Sequence, residues 1–163
     1  MFSPPATNEN KPLRMRALLL LILALLCGSL PAVPAHASCL EPREAGEWTN
    51  VAPDTKSVVS LDLRFICQDH TLNGAPYPPG PEWYVHAVGK CSPVDCDWHE
   101  VGARRLSSTH IYAVFEQSNA RRYVYVCLSQ SQPDLLWAWI YTDFKDPTRT
   151  NYGVYDWFRR VER

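Results

Sequence analysis

The sequence lacks an excess of positive charge, and it lacks any clear helical pattern. It contains 16 Lys and Arg against 17 Asp and Glu, for a net charge of −1. Nucleic acids and anionic membrane surfaces are bound through clusters of basic side chains, so we predict neither as a partner. No long segment carries apolar side chains at helical spacing, and the chain has no internal repeat or low-complexity tail. These absences favour a single domain built from strands.

The chain also lacks an apolar run long enough to span a membrane. Ala17–Cys27 is an unbroken apolar run of 11 residues, whereas a membrane span needs about 20. Basic residues precede this run, helix breakers follow it, and Ala35–Ala37 offers small residues to a cleavage enzyme, as in a secretory signal peptide. We predict that residues 1–37 are removed on export and that this signal is the only membrane contact. Residues 38–163 would then form one secreted or periplasmic domain.

The number of cysteines left after this cleavage is odd. In an exported protein disulfides are the default expectation, and an odd count leaves one thiol free or paired between chains. Cys91 and Cys96 flank Pro93 at the end of one predicted strand and the start of the next, so we predict a disulfide-pinned turn. So short a loop adds only about 2 kcal/mol by chain entropy, whereas a bond from Cys39 or Cys67 to Cys127 would add about 4–5 kcal/mol.

Alternating apolar and polar residues predict strands through most of the mature chain. The segment Val58–Cys67 keeps a period of two along its length, as expected of a strand with one solvated face. Other segments rich in β-branched and aromatic residues are Glu47–Val51, Trp83–Gly89, Asp97–Ala103, His110–Gln117, Arg121–Leu128, Leu135–Asp143 and Arg149–Arg159. The stretch Gln68–Pro81 holds too many Pro and Gly residues for a helix or a central strand.

Eight consecutive strands with mostly short connections predict an all-β, antiparallel, up-and-down barrel. Closing an eight-stranded sheet removes its exposed edges. A barrel of this size is either filled by its own side chains or holds one small ligand. The alternative fold is an open β-sandwich.

Two motifs resemble known proteins. Gly46, Trp48 and the C-terminal Arg159 and Arg160 resemble the lipocalin and avidin (calycin) superfamily. That resemblance implies that Trp48 closes the barrel floor and that Arg159 or Arg160 packs across its ring, where a guanidinium is favourable. The segment Cys91–Trp98 resembles that of small, uncharacterised secreted bacterial proteins, which implies a bacterial source and no assigned activity.

The segment Cys91–Trp98 and its neighbours also admit a metal site. Cys91, Cys96, His99 and His86 are residue types that bind zinc. The spacing is loose, however, and the sequence has no second Cys-x2-Cys half. An oxidising compartment also competes for the thiolates. We therefore predict no metal and no cofactor.

A catalytic site is the third interpretation of this segment. Asp95, Asp97 and Glu100 could act as paired carboxylates, with His99 or His86 as acid or base. No Gly-x-Ser-x-Gly elbow accompanies them, and acidic residues beside a turn commonly bind backbone amides. We therefore predict that the protein is not an enzyme.

Aromatic residues cluster on the last strands. Tyr123 and Tyr125 share one strand face, as do Tyr155 and Trp157, and Trp137 and Trp139 share a face with Leu135 and Tyr141. Such rings form either a core of cross-strand pairs or a binding cavity or groove. The opposite faces are apolar as well, at Val124, Val126, Leu136, Ala138 and Ile140. This excess predicts that part of the outer surface is covered by the Pro-rich loop, a partner or a ligand.

The function we expect from the sequence is non-catalytic binding of a small apolar molecule or a glycan through aromatic side chains. The candidate binding residues are Asp95, Asp97, Trp98, His99, Trp137 and Trp139. The alternative is a structural or partner-binding module with a filled barrel, which inward-pointing Trp83, Trp137 and Trp139 would produce. A hydrolase has the least support. The basic pairs Arg104-Arg105 and Arg121-Arg122 are expected to be solvated strand ends.

Overall fold

The computed structural model describes residues 39–162, and these residues form strands and loops without a helix. The predicted signal peptide lies outside the described residues. No helix within residues 39–162 is long and apolar enough to cross a membrane. The strands are β1 Gly46–Asn50, β2 Val58–Phe65, β3 His70–Leu72, β4 Ala75–Tyr77, β5 Trp83–Gly89, β6 Cys96–Arg105, β7 His110–Glu116, β8 Ala120–Leu128, β9 Leu135–Phe144 and β10 Tyr152–Arg160.

Eight of these strands form a closed antiparallel barrel in the order β1-β10-β9-β8-β7-β6-β5-β2. Each strand pairs with its neighbours in the meander, and β1 pairs with both β2 and β10 to close the sheet. The predicted all-β barrel is therefore confirmed, and the open sandwich is wrong. The strands β3 and β4 form a separate two-stranded sheet within the Pro-rich segment, a hairpin that the composition did not reveal.

The last strand begins later than its sequence pattern predicts. The Arg149 backbone N–H donates to the Asp146 carbonyl oxygen, which continues the turn. The Phe144 backbone N–H donates to Oδ1 of Asn151, which bridges the two ends of the loop. These bonds hold residues 145–151 out of the sheet, so β10 starts at Tyr152 and not at Arg149.

Side chains of the protein itself fill the barrel. The largest fully buried ones include Trp48, Trp83, Phe115 and Phe158, and aliphatic residues of β2, β5, β7, β8 and β9 accompany them. Burying a large apolar side chain contributes about 1.5–3 kcal/mol each. The inward residues of β8 and β9 include the aliphatic Val124, Val126, Leu136, Ala138 and Ile140. Of the three tryptophans expected to plug the barrel, only Trp83 points inward.

Trp48 lies near one end of the barrel, beneath Arg160. The Arg160 Cζ lies 4.3 Å from the centre of the Trp48 ring, and its Nη1 donates to the Ala45 carbonyl oxygen at 2.8 Å. Gly46 has a φ of +125°, and a Cβ there would lie 2.8 Å from Arg160 Nη1. Glycine thus allows both the backbone turn and the close approach of the guanidinium. Arg159, the other candidate, points to solvent.

Two disulfides lie at opposite ends of the barrel. Cys91–Cys96 links β5 to β6 as predicted, and Cys39–Cys67 ties the start of the described chain to the end of β2. Among residues 39–162, Cys127 is a free, buried thiol, so the bond considered between it and Cys39 or Cys67 does not form. The Cys39–Cys67 loop spans 28 residues and would stabilise the fold by about 3–4 kcal/mol on the chain-entropy account.

Candidate functional site

The alternation of β7 to β10 turns a large set of aromatic side chains outward. Because Val124, Val126, Leu136 and Ile140 face the core, the residues between them face away from it. The name "outer aromatic face" is used below for eight of these outward residues. They are Tyr112, Tyr123, Tyr125, Trp137, Trp139, Tyr141, Tyr155 and Trp157.

Strand register arranges the outer aromatic face in rows across the sheet. Tyr112, Tyr125, Trp139 and Tyr155 lie directly opposite one another on four adjacent strands. The row on one side contains His110, Cys127, Trp137 and Trp157, and the row on the other contains Val114, Tyr123, Tyr141 and Gly153. The central row thus consists entirely of aromatic rings, which explains why the face is continuous.

The rings contact one another along the central row. Ring centres lie 4.6 Å apart for Tyr112 and Tyr125, 5.2 Å for Tyr125 and Trp139, and 6.3 Å for Trp139 and Tyr155. Such distances are typical of attractive aromatic pairs. Gly153 leaves space for Trp139, since a Cβ at this position would lie 2.8 Å from the indole Nε1. The mutual packing holds the rings in place without inserting them into the core.

Much of the outer aromatic face remains accessible to solvent. Tyr155 is 75% exposed and Trp157 is 46% exposed, while the other rings are half-buried against their neighbours. Burial raises the pKa of the Tyr112 phenol, and the neighbouring Tyr125 and Tyr123 raise it further. The Tyr112 phenol is therefore a neutral hydrogen-bonding group near pH 7.

Charged and polar residues border the outer aromatic face. Glu116, Arg121 and Asp143 form the next row beyond Tyr123 and Tyr141. Arg159 lies opposite Leu135 at the other border. Hydrogen-bond donors and acceptors thus flank the rings on both sides.

The Pro-rich loop does not cover these rings. It folds back on itself, because Nε2 of Gln68 donates to the carbonyl oxygens of Pro78 and Gly80 at 2.8 Å. The ring of Pro81 lies against Gly102 of β6, where a Cβ would be 2.5 Å away. Of the three covers expected from the sequence, the loop therefore lies on part of the outer surface at β6, and a partner or a ligand remains for the outer aromatic face.

The Cys91–Cys96 turn provides no metal site through its cysteines. The disulfide occupies both sulfurs, which a zinc ion would need as thiolates. Within the described residues one group of potential ligands is close enough to hold a metal: Cys39, Cys67 and Asp69. The two cysteines of that group are also joined in a disulfide.

Asp95 and Glu100 each form an ion pair with a different basic residue. Lys90 Nζ lies 3.0 Å from Asp95 Oδ1. Arg64 binds Glu100 through two nitrogens, at 3.0 and 2.5 Å. These hydrogen bonds lower the pKa of Glu100. The structure therefore gives these two carboxylates separate ion pairs.

Asp97 binds the two histidines that the sequence singled out. Its Oδ1 accepts the backbone N–H of His99 at 2.7 Å and lies 2.7 Å from Nε2 of His86. The His99 N–H contributes most to lowering the pKa of Asp97, followed by His86. His99 has a φ of +65° at a bulge in the pairing of β5 with β6. Asp97 thus supports an irregular backbone at the strand edge.

Trp98 differs from its charged neighbours because it points into the barrel. It is 9% exposed and contacts Phe115, with ring centres 5.6 Å apart. The Arg122 Cζ lies 4.7 Å from the centre of the Trp98 ring. Burial lowers the pKa of Arg122, and the nearby Arg149 lowers it further, although Tyr152 acts in the opposite direction.

The expectation that both basic pairs are solvated strand ends is wrong for one member of each. Arg121 and Arg104 are exposed, but Arg122 and Arg105 turn toward buried tryptophans. The alternation of β8 could have predicted this, because Arg122 lies on the same strand face as the inward Val124 and Val126. Tyr112 was not predicted as part of an aromatic face. Its position between the inward Ile111 and Ala113 could have identified it as an outward residue.

Comparison of the chain with protein-family models, with curated proteins and with solved structures finds no match.

Proposed function

We propose that the protein is a non-catalytic binding protein that holds a glycan on the outer aromatic face. The observation that carries this proposal is the row Tyr112, Tyr125, Trp139 and Tyr155, which presents aromatic rings on the outside of a closed barrel. Tyr and Trp rings that are partly exposed to solvent are enriched at interaction sites. The aliphatic side chains of β8 and β9 already fill the core, so the rings are not required there.

The borders of the outer aromatic face favour a sugar over a purely apolar molecule. Rings of Trp and Tyr offer apolar surface for the C–H groups of a pyranose, and their N–H and O–H groups can bond hydroxyls. Glu116, Arg121, Asp143 and Arg159 add donors and acceptors beside the rings.

The dimensions of the face support the same choice. Four strands and three rows of alternate residues span about 14 Å in each direction, or roughly 200–300 Å². A stable protein interface buries about 800 Å² on each partner. The face is thus large enough for several sugar rings but small for a protein partner on its own.

The filled barrel argues against a small apolar ligand in its interior. Trp48, Trp83, Phe115 and Phe158 are each fully buried there. The separate ion pairs of Asp95 and Glu100 argue against a hydrolytic pair of carboxylates. The filled interior also favours a second candidate, a partner-binding module, since Tyr and Trp are enriched in protein interfaces.

The two disulfides support export, because such bonds persist in oxidising compartments. We propose a secreted or periplasmic location on this basis, with residues 1–37 as the signal peptide. The stacking of Arg160 on Trp48 supports the proposal that the barrel is lipocalin-like.

Affinity electrophoresis in gels that contain soluble polysaccharides tests the proposal. The panel would include derivatives of cellulose, chitin and starch. We expect at least one polysaccharide to retard the wild-type protein, and Trp139→Ala or Trp157→Ala to reduce that retardation at least tenfold, because stacking area is lost. The matched control is Tyr77→Ala, which removes an exposed aromatic ring of β4 and should leave the retardation unchanged.

Gly153→Ala provides a sharper variant, since the added Cβ would displace the Trp139 indole without removing a ring. It should weaken retardation while near-ultraviolet circular dichroism continues to report a folded barrel. Equal retardation of wild type and both tryptophan variants would refute the site. Absence of retardation across the panel would refute the glycan and favour the partner-binding module.

A further inference from the structure

Three arginines of the barrel stack on buried tryptophans, and one of them has no hydrogen-bond or ion-pair partner among residues 39–162. Arg160 covers Trp48 and donates to backbone carbonyl oxygens. Arg105 covers Trp83, with Cζ 5.1 Å from the ring centre. These two guanidiniums are therefore compensated at one end of the barrel.

Arg105 shows how that compensation is made. Its Nη1 lies 3.1 Å from Glu44 Oε1 and donates to the Ser108 carbonyl oxygen at 3.0 Å. Arg122, which covers Trp98 near the opposite end, has no hydrogen bond or ion pair to any residue between 39 and 162, and its buried Nη1 is without a partner. A half-buried guanidinium without a hydrogen-bond or ion-pair partner lowers the stability of the fold. Arg122 is therefore suited to bind a ligand that supplies such a partner.

Arg122 lines an open recess beside the disulfide turn. The recess has a volume of about 530 Å³. Its lining combines the Trp98 ring, the Cys91–Cys96 disulfide and the polar loop that joins β7 to β8 at Gln117, Ser118 and Asn119. The cation therefore faces a cavity that has both an apolar wall and hydrogen-bonding groups.

The charges around Arg122 favour an anion. Arg149 is close enough to lower the pKa of Arg122. The carboxylates at the rim of the recess have other partners: Asp97 binds His86, and Glu116 binds Arg121. Asp156 also points inward with an unpartnered oxygen, but it lies opposite Ala138, two rows of side chains away from Arg122.

We propose that this recess binds a carboxylate group that is attached to an apolar or aromatic body. A guanidinium matches a planar carboxylate through two parallel hydrogen bonds, and Trp98 would contact the body. The partly compensated carboxylates of Asp97 and Glu116 at the rim disfavour a dianion such as phosphate. This site is separate from the outer aromatic face, and its ligand need not be a sugar.

Thermal unfolding with benzoate as the probe tests this inference at constant ionic strength. We expect benzoate to raise the wild-type Tm in proportion to the logarithm of its concentration above Kd, by roughly 5 °C at ten times its Kd. Benzamide, which has the same shape without the charge, and inorganic phosphate should each raise it by less than about one fifth as much. Arg122→Met should abolish the benzoate shift, while the matched control Arg121→Met, on the outer side of the same strand, should retain it.

The unliganded variant provides a second readout. Arg122→Met removes an uncompensated charge, so without benzoate its Tm should equal or exceed that of wild type. A much lower Tm would assign Arg122 a structural role and overturn the proposal. So would equal benzoate shifts for wild type and Arg122→Met, equal shifts with benzamide or phosphate, or no benzoate shift at all.

Nuclear magnetic resonance of the wild-type protein gives a test that does not depend on any variant folding. The assigned Arg122 Nε–Hε and Trp98 indole N–H signals should move saturably with benzoate and remain in place with benzamide. Unmoved Arg122 and Trp98 signals at saturating benzoate would exclude the recess as the binding site.

Discussion

The carboxylate of Asp97 accepts a hydrogen bond from the backbone N–H of His99, with 2.7 Å between Oδ1 and N. The same oxygen lies 2.7 Å from Nε2 of His86 on the neighbouring strand. One side chain thus joins the bulge at His99 to β5. This role accounts for Asp97 without any chemistry and yields a prediction about pH.

Asp97 should make the stability of the barrel depend on pH in the acid range. Its contacts lower its folded pKa below the ordinary value of 3.8. A carboxyl group with a lowered folded pKa stabilises the fold above its unfolded pKa, and this contribution is lost as the pH falls through the folded value. We expect Asp97→Asn to lower the Tm by several degrees at pH 7, and the difference from wild type to shrink below about pH 4.

Thermal unfolding followed by circular dichroism from pH 7 to pH 2 measures this effect. Asp54→Asn, in an exposed loop position, is the control and should leave the profile unchanged. A Tm difference between Asp97→Asn and wild type that stays constant at every pH would contradict the assignment.

The backbone at His99 should tolerate glycine better than a β-branched residue. Its φ of +65° is unfavourable for side chains with a branched Cβ, and its own side chain is 83% exposed. We expect His99→Val to lower the free energy of unfolding by about 1–2 kcal/mol relative to His99→Gly, as measured by urea denaturation. At the exposed strand position Thr49 the order should reverse, with Val at least as stable as Gly. The same order at both positions would refute the strain at His99.

Arg160 should stabilise the barrel much more than its neighbour Arg159. The Arg160 guanidinium stacks on Trp48 and donates to the Ala45 carbonyl oxygen, whereas Arg159 is exposed. We expect Arg160→Met to cost about 2–3 kcal/mol in urea denaturation and Arg159→Met less than about 0.5 kcal/mol. Arg160→Lys should restore little of the loss, because an ammonium lacks the planar fork. Similar losses for Arg159→Met and Arg160→Met would mean that the stack on Trp48 contributes no stability.

The two disulfides should stabilise the protein unequally. Cys39–Cys67 encloses 28 residues and Cys91–Cys96 only five. On the chain-entropy account the double variant Cys39→Ser, Cys67→Ser should lose about 3–4 kcal/mol, and Cys91→Ser, Cys96→Ser about 2 kcal/mol. Guanidinium denaturation of both variants measures the difference. The opposite order would show that the short disulfide does more than close a loop.

The strand pattern was readable from the sequence, and some boundaries were not. Alternation at Val58–Cys67 predicted β2, which ends at Phe65, because alternation persists into residues that have no partner strand. The turn before β10 extends to Asn151 through a side-chain hydrogen bond to Phe144. Side-chain bonds of that kind leave no periodic signal, so boundaries that depend on them had to be found in the structure.

The candidate site was predicted only in part. Trp137 and Trp139 were expected to share a strand face, and they do. Asp97 and His99 bond to each other, whereas Asp95 pairs with Lys90 and Glu100 with Arg64. The choice of ion-pair partner depends on other strands, as with Glu100 of β6 and Arg64 of β2, and the register between strands is not visible in one strand.

The sequence by itself determined the class of the fold, the pinned turn and the sets of side chains that share a strand face, because these follow from local geometry with a period of two. It did not determine which face of β8 or β9 is inside, since both faces are apolar. Closure of the barrel decided that question. An eight-stranded barrel has limited interior space, so Val124, Ala138 and Ile140 fill it and the larger rings of Trp137 and Trp139 lie outside. The same closure turned Arg122 inward over Trp98, where its charge remains without a partner in residues 39–162.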